Sequence, residues 1–536
     1  MINTRFLSGK DNNEIAEAAQ ILARGGLCAI PTETVYGLAA DAYNGEAVNK
    51  IFSAKGRPQD NPLIVHIEKL DRLYDLWAEV PQRALKLAEA FWPGPLTMVM
   101  TKTDKVPKEV SCGLNTVGVR FPEHPIARRV IELADTPLAA PSANLSGKPS
   151  PTTFAHVKED MNGRIDAILE GGECFVGVES TVVDITGEVA RILRPGAITE
   201  EMIADVLGNA FTDSAVEEGL KDGEKPRSPG MKYRHYAPSS PVKLFCGAPD
   251  DTAKKVMSAP NGAAVICFNE YAYGYNYEAN LSSFSKIAPL GESWNHAMHA
   301  RRIFDALRSC DGASVIYVQC PRRMGAGAGS VNRLMRAAGF SFEKCTDYPV
   351  IGVTGRSGSG KSFLAKLLGQ MLDYPVFDAD AEYKKMLESG GDMTQSILSA
   401  FPGADKDGKV DRRALAKIVF EDKSAKLLLE SITHPCIAKA AKDFIKNNHG
   451  CILDVPLLHE SGMGRLCTAT LGVIADEELK IKRIIDRDGI DIESAKSRLA
   501  AQSDDRFYYD SCDITVKNNG EGFKNLQQLA EKLIKL

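Results

Sequence analysis

The chain is 536 residues long, with 65 Lys and Arg against 70 Asp and Glu, a formal net charge of −5 and 44% hydrophobic residues. At roughly 100–200 residues per domain this length predicts about three or four domains, and the composition excludes wholesale disorder and fibrous repeats. The slight acidic excess argues against a protein that coats polynucleotide, because neutralising phosphates needs a basic surplus.

Targeting and redox signals are weak throughout the sequence. No apolar run reaches the length of about 18 residues that a membrane span needs, and residues 1–20 lack the apolar core of a signal peptide. The 12 cysteines are scattered without a C-x-x-C pair. This favours reduced thiols in a cytoplasmic protein over a disulfide framework or a zinc ribbon.

Residues 1–211 alternate helical and strand patterns. A helix is predicted at residues 13–24, where Ile15, Ala18, Ala19 and Leu22 recur at helical spacing before a glycine pair. Other helices are predicted at residues 46–54 and 82–91, and short buried strands at 27–30, 63–67, 96–101, 117–121 and 181–185. The alternation predicts a mixed-sheet α/β domain.

Residues 212–241 interrupt this rhythm. An acidic stretch is followed by Arg227-Ser-Pro-Gly-Met-Lys-Tyr-Arg-His-Tyr-Ala-Pro, and the prolines and glycine predict an extended linker. Its basic and aromatic side chains are unusual for a passive spacer. Residues 242–345 then predict a small α/β accessory domain, with strands at 263–268 and 315–318 and a helix at 295–309.

The last block, residues 349–536, opens with a strand at 350–354 and the run Gly355-Arg-Ser-Gly-Ser-Gly-Lys-Ser, which fits G-x-x-x-x-G-K-[ST]. Strand, loop and helix in this order direct backbone N–H groups and a helix N-terminus at phosphates. Lys361 would reach the β- and γ-phosphates of ATP, and the Ser362 hydroxyl would bind Mg²⁺. The expected ATP-binding residues of this loop are Ser357, Gly358, Ser359, Gly360, Lys361 and Ser362. A glycine-rich turn without a ligand is the alternative.

Carboxylates follow two later strands of this block. Asp378 and Asp380 end one strand pattern and Asp454 ends another, so they should face the crevice at the carboxyl edge of a parallel sheet. One could accept a proton from an attacking hydroxyl, and Asp454 could contact Mg²⁺. Arg483 and Arg487, four residues apart, share a helix face as a lid over phosphates requires. A loop cap, an edge carboxylate and a solvated basic face remain open alternatives.

These motifs resemble the dephospho-CoA kinase family: VTGRSGSGKS, FDADAEYKKML, ILDVPLLHESGM and AKSRLAAQ occur in order. The resemblance implies a P-loop fold with a parallel sheet, a coenzyme-binding insertion and a helical lid. The implied reaction is ATP-dependent phosphorylation of the 3′-hydroxyl of dephospho-CoA. The implied roles are catalysis (Lys361 and the base Asp380), coenzyme binding (Asp378, Asp380, His434, Leu457), phosphate clamping (Arg483 or Arg487) and metal binding (Ser362, Asp454). Arg356-Ser357 replaces the family's usual Gly-Ile.

Polar residues gather at strand ends in residues 1–211. Lys55 and Arg57 stand in a turn with glycine and proline, and two fixed cations suit a small anion or a triphosphate. Hydroxyl, amide and cationic residues follow other apolar runs, among them Thr34, Asn61, His66, Arg120, Ser142, Asn144, Ser180 and Arg194. Each is a weak signal alone, since a Lys-Gly-Arg turn can be a solvated loop and His66 a core residue.

The combination resembles the threonylcarbamoyl-AMP synthase family over residues 10–210. The long form of that family adds a tether with a Tyr-Arg-His-Tyr-Ala-Pro element and an accessory domain, which residues 227–345 match. The resemblance implies that threonine takes up bicarbonate or CO₂ and that the carbamate attacks the ATP α-phosphate, releasing pyrophosphate. Because both reactants are anionic, cations must screen their repulsion. The adenylate would then reach separate machinery that modifies adenosine 37 of tRNA, with no direct polynucleotide binding by this chain.

The resemblance implies roles for three sets of synthase residues. Lys55 and Arg57 would be catalytic, holding bicarbonate and phosphate. The nucleotide would contact Arg57, Asn61, Thr116, Ser142, Asn144, Arg194 and Tyr236. Threonine would contact Thr34, His66, Arg120, Ala140 and Ser180. Tyr236 and its neighbours in the tether would form a moving lid.

Several functional readings remain open on the sequence alone. The first is a bifunctional enzyme that joins a threonylcarbamoyl-AMP synthase to a dephospho-CoA kinase. In the second, residues 1–211 are an RNA-binding module and only the last block is an enzyme, although the basic excess that RNA binding needs is missing. A carbamoyl-transfer maturation enzyme would carry cysteine-paired zinc fingers, and a degenerate kinase could serve as a nucleotide sensor.

Overall fold

The computed structural model describes residues 2–218, 236–273, 281–520, 523 and 526–535. The chain divides into two compact units, Met1–Cys246 with Ala253–Glu343, and Gly247–Thr252 with Lys344–Leu536. Among the described residues, no helix is long and apolar enough to cross a membrane.

The N-terminal part of the first unit is built on one mixed sheet. Its strands are β1 (Arg5–Ser8), β2 (Cys28–Ile30), β3 (Gly37–Asp41), β4 (Ile64–His66), β5 (Leu96–Thr101), β6 (Thr116–Arg120), β7 (Leu138–Ala139), β8 (Ala167–Glu170), β9 (Thr181–Asp184), β10 (Ala190–Arg194) and β11 (Ala210–Thr212). Over the described residues the order is β1-β8-β2-β3-β7-β4-β6-β5-β9-β10-β11. The sheet contains both parallel pairs, such as β4 with β6, and antiparallel pairs, such as β5 with β6.

Helices pack against this sheet through buried apolar side chains. They are α1 (Asn12–Ala23), α2 (Gly45–Lys55), α3 (Leu73–Leu76), α4 (Gln82–Phe91), α5 (Lys108–Ser111), α6 (Pro125–Ala134), α7 (Phe154–Met161), α8 (Glu200–Leu207) and α9 (Ala215–Glu218). In α1, Asp11 caps the first turn and the predicted positions Ile15, Ala18, Ala19 and Leu22 are all buried.

A second, smaller sheet follows residue 241. Its strands are β12 (Val242–Cys246), β13 (Ala264–Cys267), β14 (Lys286–Pro289), β15 (Ile316–Gln319) and β16 (Phe342–Lys344), in the order β14-β13-β15-β12-β16. The helices are α10 (Pro249–Val256), α11 (Asn269–Ala272), α12 (His296–Ser309) and α13 (Ala328–Ala337). Parallel pairing of β14, β13, β15 and β12 suits the helices that separate them in sequence.

The second unit is a parallel α/β domain with the strands β17 (Val350–Gly355), β18 (Val376–Asp378), β21 (Cys451–Asp454), β22 (Ala469–Ile474) and β23 (Ile514–Lys517), and a hairpin of β19 (Asp405–Lys406) and β20 (Lys409–Val410). The parallel order is β18-β21-β17-β22-β23. Its helices are α14 (Lys361–Leu372), α15 (Ala379–Ser389), α16 (Asp392–Ala400), α17 (Arg412–Glu421), α18 (Lys423–Lys446), α19 (Glu477–Asp488), α20 (Ile492–Ala500), α21 (Asp505–Ser511) and α22 (Leu526–Ile534). β17 is buried along its whole length, as its uninterrupted apolar pattern predicts.

The predicted fold class is confirmed: a mixed-sheet α/β domain, a small α/β domain and a parallel P-loop domain. The predicted linker differs from the structure at its start, because β11 ends at Thr212 and α9 occupies Ala215–Glu218. β11 forms there because it pairs in parallel with β10. The local acidic sequence does not indicate this contact. The predicted basic and aromatic segment at 227–235 lies outside the described residues.

Candidate active sites

An open cleft of about 750 Å³ lies in the first unit, and most of the predicted synthase residues line it. These are Thr34, Lys55, Arg57, His66, Arg120, Ala140, Ser142, Asn144, Ser180, Arg194 and Tyr236. The cleft lining also includes Lys148 and Glu179, which the sequence did not single out. Residues scattered from 32 to 236 are therefore brought together at strand and helix ends.

Arg120 is held in place at the end of β6. Its guanidinium donates to the Thr34 hydroxyl at 2.8 Å and to the Glu33 carboxylate at 2.6 Å. Burial alone would raise the pKa of Glu33, but the Arg120 guanidinium more than offsets it and holds that pKa below its usual range. Arg120 is thus a preoriented cation whose partner, Glu33, is an additional residue of the site.

His66 pairs with Arg120 across β4 and β6. Burial, together with the neighbouring Arg120 charge, lowers the pKa of His66 to about 3. The imidazole is therefore neutral near pH 7, and its Nδ1 has no hydrogen-bond partner among the described protein atoms. His66 can orient a substrate by hydrogen bonding but adds no positive charge.

Lys55 ends α2, and Gly56 follows it in the left-handed conformation at a φ of 60°. The Lys55 ammonium donates to the main-chain carbonyl of Asn144 at 2.7 Å and to that of Ser142. Burial, and then the charge of Arg57, keeps the pKa of Lys55 well below its usual value. The side chain thus ties the Ser142–Asn144 loop to the end of α2.

Arg57 and Asn61 carry unused hydrogen-bonding groups. Arg57 donates to the main-chain carbonyl of Asn61 at 3.1 Å, whereas its Nε and both side-chain polar atoms of Asn61 have no partner among the described protein atoms. Asn61 is buried just outside the cleft lining. Thr116 also lies outside the lining, since it begins β6 opposite Thr101, four residues before Arg120.

Ser180 and Arg194 form one unit of the cleft wall. Arg194 donates to the main-chain carbonyl of Ser180 at 3.0 Å and to its hydroxyl at 3.1 Å, and that hydroxyl also meets Thr97 at 2.7 Å. Burial lowers the pKa of Arg194 to about 10, which leaves it charged near pH 7. The wall therefore presents a fixed cation beside a hydroxyl.

Tyr236 reaches the same wall from the end of the tether. Its ring packs on Phe304 with centroids 5.3 Å apart, and the Arg333 guanidinium lies 5.9 Å from its centroid. Arg333 also donates to the Glu179 carboxylate at 2.9 Å. Glu179 and Arg333 are 154 residues apart, so no local pattern could have indicated their pairing.

The phosphate-loop motif of the second unit folds as predicted. Gly355, Gly358 and Gly360 have φ angles of 152°, 76° and 97°, which side-chain-bearing residues rarely adopt, and α14 begins at Lys361. A Cβ on Gly358 would lie 2.5 Å from the Lys480 carbonyl oxygen. The loop therefore needs glycine for backbone conformation and for close contact with α19.

Arg356, the departure from the usual kinase pattern, does not enter the loop's concavity. Its guanidinium donates to the Leu499 carbonyl at the end of α20 at 2.6 Å, and the side chain is buried. The next amide, that of Ser357, donates to the Gln502 side chain at 2.9 Å. The extra cation thus caps a helix C-terminus, which is a favourable place for positive charge.

The two arginines of α19 have different surroundings. Arg483 donates to the Gly358 carbonyl at 3.1 Å and to the Asn518 side chain at 3.3 Å, so it holds the main chain of the phosphate loop. Arg487 is half exposed and paired with Asp488 at 2.8 Å. The negative charge of Asp380 also acts on Arg487 and, after that of Asp488, favours its charged form. The shared helix face predicts both positions, but only Arg483 contacts the loop.

The carboxylates at the strand ends also divide by environment. Asp378 accepts a hydrogen bond from the Ala381 amide at 2.9 Å and caps α15, as the loop-cap alternative describes. Asp380 is exposed in the first turn of that helix. Asp454 is buried, which raises its pKa, although a hydrogen bond from the Ser362 hydroxyl and the charge of Lys361 oppose that rise.

The two remaining predicted coenzyme residues lie on different elements. His434 is half buried within α18, directly before the helix-interior Pro435, and burial lowers its pKa. Leu457 is half buried in the segment that follows β21.

A mixed sheet with a cationic cleft and a parallel sheet with a phosphate loop define a pair of nucleotide-using enzymes. Family models match in three consecutive regions: "Telomere recombination" over residues 20–196, "Threonylcarbamoyl-AMP synthase, C-terminal domain" over 198–339, and "Dephospho-CoA kinase" over 349–523.

Individual relatives agree with these matches. The chain is 43% identical to the threonylcarbamoyl-AMP synthase of Pyrococcus abyssi over 334 residues, 62% of this chain and 96% of that protein. It is 36% identical to the dephospho-CoA kinase of Fusobacterium nucleatum over 188 residues, 34% of this chain and 94% of that protein. The solved P. abyssi Sua5 complexed with L-threonine is 41% identical, with a TM-score of 0.57 over 64% of this chain and 99% of that one.

The chain therefore belongs to the threonylcarbamoyl-AMP synthase family and carries a dephospho-CoA kinase at residues 349–523. Both resemblances drawn from the sequence are confirmed, and the chain is an ATP-using enzyme with these two activities.

Proposed function

We propose that the first unit condenses threonine, bicarbonate or CO₂, and ATP into L-threonylcarbamoyladenylate with release of pyrophosphate. The observation that carries this proposal is the convergence of Arg57, Arg120 and Arg194 with several hydroxyls in one cleft. The threonine carbamate and the triphosphate repel each other, and fixed cations lower the electrostatic cost of bringing them together.

Threonine is assigned to the Arg120 end of the cleft. Arg120 would bind its carboxylate, since Glu33 and Thr34 hold the guanidinium in one orientation. His66, Ala140 and Ser180 would complete this pocket. Neutral His66 suits hydrogen bonding to the substrate rather than charge pairing.

The nucleotide is assigned to the rest of the cleft, where Arg57, Ser142, Asn144, Arg194 and Tyr236 are the proposed contacts. Asn61 and Thr116 are proposed as further contacts from beyond the lining. Arg57 and Asn61 have unsatisfied polar atoms that a phosphate or a base could use. Lys55 is proposed to act on bicarbonate and phosphate, and its bonds to the Ser142–Asn144 loop also fix the loop that supplies two nucleotide ligands.

We propose that the second unit transfers the γ-phosphate of ATP to the 3′-hydroxyl of dephospho-CoA. Residues Ser357–Ser362 would hold the phosphates through backbone amides, with Lys361 on the β- and γ-phosphates. Exposed Asp380 would accept the hydroxyl proton, and Arg487 near it would screen charge on the transferred group. Arg483 would keep the loop in shape. Asp378, His434 and Leu457 would contact the coenzyme.

Mg²⁺ is the proposed companion of ATP in the kinase. Asp454 Oδ1 is buried without a hydrogen-bond partner among the described protein atoms, and the Ser362 hydroxyl lies beside the same carboxylate. A carboxylate and a hydroxyl are oxygen ligands that suit this hard cation. When bound, the ion would neutralise charge on the β- and γ-phosphates. Ser362 and Asp454 would hold it.

The adenylate product is proposed to pass to separate machinery that modifies tRNA, since the chain has no overall basic excess. A cytoplasmic location is proposed on the basis of the twelve free cysteines, most of them buried.

The test is an ATP assay that reports pyrophosphate and ADP separately. Pyrophosphate should appear with threonine plus bicarbonate, and ADP with dephospho-CoA. Absence of threonine-dependent pyrophosphate combined with tight tRNA binding would instead favour an RNA-binding first domain. Chelation with EDTA should abolish ADP formation, and added Mg²⁺ should restore it.

A further inference from the structure

Arg333, on helix α13 of the accessory domain, is a buried cation that contacts the wall of the synthase cleft. Arg333 is fully buried. Its guanidinium donates to the Glu179 carboxylate at 2.9 Å, to the Glu179 main-chain carbonyl at 3.1 Å and to the Pro195 carbonyl. One planar fork with five donors can make all these bonds at once, whereas a lysine ammonium has a different geometry.

The two segments that Arg333 holds are the segments that carry Ser180 and Arg194. Glu179 directly precedes Ser180, and Pro195 directly follows Arg194. Ser180 and Arg194 are themselves joined by two hydrogen bonds. Arg333 therefore fixes the main chain on both sides of this pair, from a position outside the cleft lining.

Charge gives Arg333 a second role. Glu179 is the one carboxylate among the described residues that line the cleft, where the proposed substrates are anions. Burial raises its pKa, but the charges of Arg333 and Arg194 outweigh burial and lower it, so Glu179 is ionised. Without Arg333, the Ser150 hydroxyl would still donate to this carboxylate, but the buried cations left near it would be Lys55 and Arg194. Arg194 is the cation proposed to bind the nucleotide.

We propose that Arg333 is a positioning residue of the synthase reaction: it keeps Glu179 from neutralising Arg194 and fixes the Ser180–Arg194 wall, so that the accessory domain completes the synthase site. This inference rests on the proposed function of the cleft. It makes the accessory domain necessary for adenylate synthesis, although no residue of α13 lines the cleft.

The test uses the full chain with Arg333→Met, Arg333→Lys, Glu179→Gln and the double variant Arg333→Met/Glu179→Gln. Pyrophosphate release gives kcat and KM for ATP and threonine, and ADP release by the kinase checks that each chain is intact. Arg333→Met should lower kcat/KM by about 100-fold, the scale of a slight misplacement of binding groups. The KM for ATP should rise more than that for threonine.

The double variant separates positioning from mere stability. If Glu179 forms an ion pair with Arg194 when Arg333 is lost, the Glu179→Gln substitution should break that pair. The double variant should then be at least about tenfold more active than Arg333→Met. A structural role alone predicts no recovery. Arg333→Lys keeps the charge but not the fork and should fall between wild type and Arg333→Met.

Arg301→Met is the matched control, because Arg301 of α12 pairs with Glu173 of the synthase domain at the exposed rim of the same domain interface. It should leave both activities unchanged. The inference is overturned if Arg333→Met keeps near wild-type kcat/KM, if Arg301→Met loses as much, or if the double variant shows no recovery.

ATP affinity of the first unit, measured by calorimetry in a Lys361→Ala background, distinguishes this inference from the proposed function. A wild-type cleft that binds ATP but releases no threonine-dependent pyrophosphate overturns the proposed function. In that case the ATP affinity of Arg333→Met tests the inference. An unchanged ATP affinity overturns it, and a loss of ATP affinity that Glu179→Gln reverses supports it.

Discussion

The two candidate ATP sites of this chain are built in opposite ways. The kinase loop is a contiguous run, Gly355–Ser362, that turns backbone amides and a helix N-terminus toward one place. The synthase cleft instead draws side chains from residues 32 to 236. Three of its cations, Lys55, Arg120 and Arg194, are buried. The carboxylates of Glu33 and Glu179 interact with Arg120 and Arg194 respectively.

This difference shows two solutions to the problem of holding phosphate. Backbone amides are present at every non-proline residue and are positioned by φ and ψ angles alone, so glycine placement suffices. Buried guanidinium groups lose hydration and need partners that keep them in place. The cleft should therefore be sensitive to residues that touch no substrate, and the loop to few side chains besides Lys361.

Lys361 is the side chain on which the phosphate loop should depend most, and its loss has the largest expected effect. Lys361→Ala should lower kinase kcat by about 10³-fold, because it removes a cation at the reacting phosphates, and should leave pyrophosphate release intact. Separate ADP and pyrophosphate assays measure this. Lys366→Ala, at an exposed position of the same helix α14, is the control. Loss of both activities would show that the two sites are coupled.

Loss of Arg57 is the reciprocal experiment in the cleft. Arg57→Ala should lower pyrophosphate release by about 100-fold, since one fixed cation no longer screens the reactants, with ADP release unchanged. The exposed Lys86 of α4 provides the control variant Lys86→Ala. Full synthase activity in Arg57→Ala would contradict the electrostatic account of the cleft.

Glu33 tests whether the cleft depends on a residue outside its lining. Glu33→Gln should lower the unfolding free energy by up to about 3 kcal/mol, because Arg120 is left as a buried cation without its counter-charge. The KM for threonine should rise as Arg120 loses its fixed orientation. Urea unfolding and steady-state kinetics measure these effects, and unchanged values for both would contradict the role given to Glu33.

The ion pair between Glu33 and Arg120 should also make the stability of the protein depend on pH. The pKa of Glu33 is lower in the folded protein than its usual value, so its contribution to stability is complete above the unfolded-state pKa of about 4.3 and is lost as the pH falls through the folded-state pKa. The difference in stability between wild type and Glu33→Gln should therefore narrow on acidification.

Replacing Arg356 has the smallest expected effect on activity. It tests whether the kinase phosphate loop depends on its backbone amides rather than on this side chain. Arg356→Ala should lower the unfolding free energy by about 2 kcal/mol, through the lost hydrogen bond to the Leu499 carbonyl. Kinase kcat should stay within about twofold, because the phosphate-facing groups are amides. Thermal unfolding and ADP release measure this; a large loss of kcat with unchanged stability would place Arg356 at the phosphates instead.

Sequence patterns predicted local features of this molecule better than distant pairings. The phosphate loop and the buried face of α1 follow from spacing within one segment, and both are present. The partnership of Arg333 with Glu179 joins two domains, and the direction of Arg356 depends on the end of α20. Such contacts depend on tertiary packing, which neither residue type nor spacing encodes locally.

The difference between local patterns and distant contacts also explains why the predictions for polar residues at strand ends are only partly confirmed. Most of the predicted cleft residues do line the cleft, because strand ends converge when sheets assemble. Thr116 lies at the opposite end of β6 from Arg120. Asp378 caps a helix, a use of aspartate that has the same sequence appearance as a catalytic carboxylate.

The hydrogen bond from the Ser357 amide to Gln502 implies a competition during each catalytic cycle. A phosphate oxygen that accepts from this amide must displace the side-chain oxygen of Gln502, and Gln502 lies just beyond the end of α20. Nucleotide arrival would then be transmitted to that helix as the exchange of one acceptor for another. Hydrogen exchange at the last turn of α20 would follow the filling and emptying of the loop.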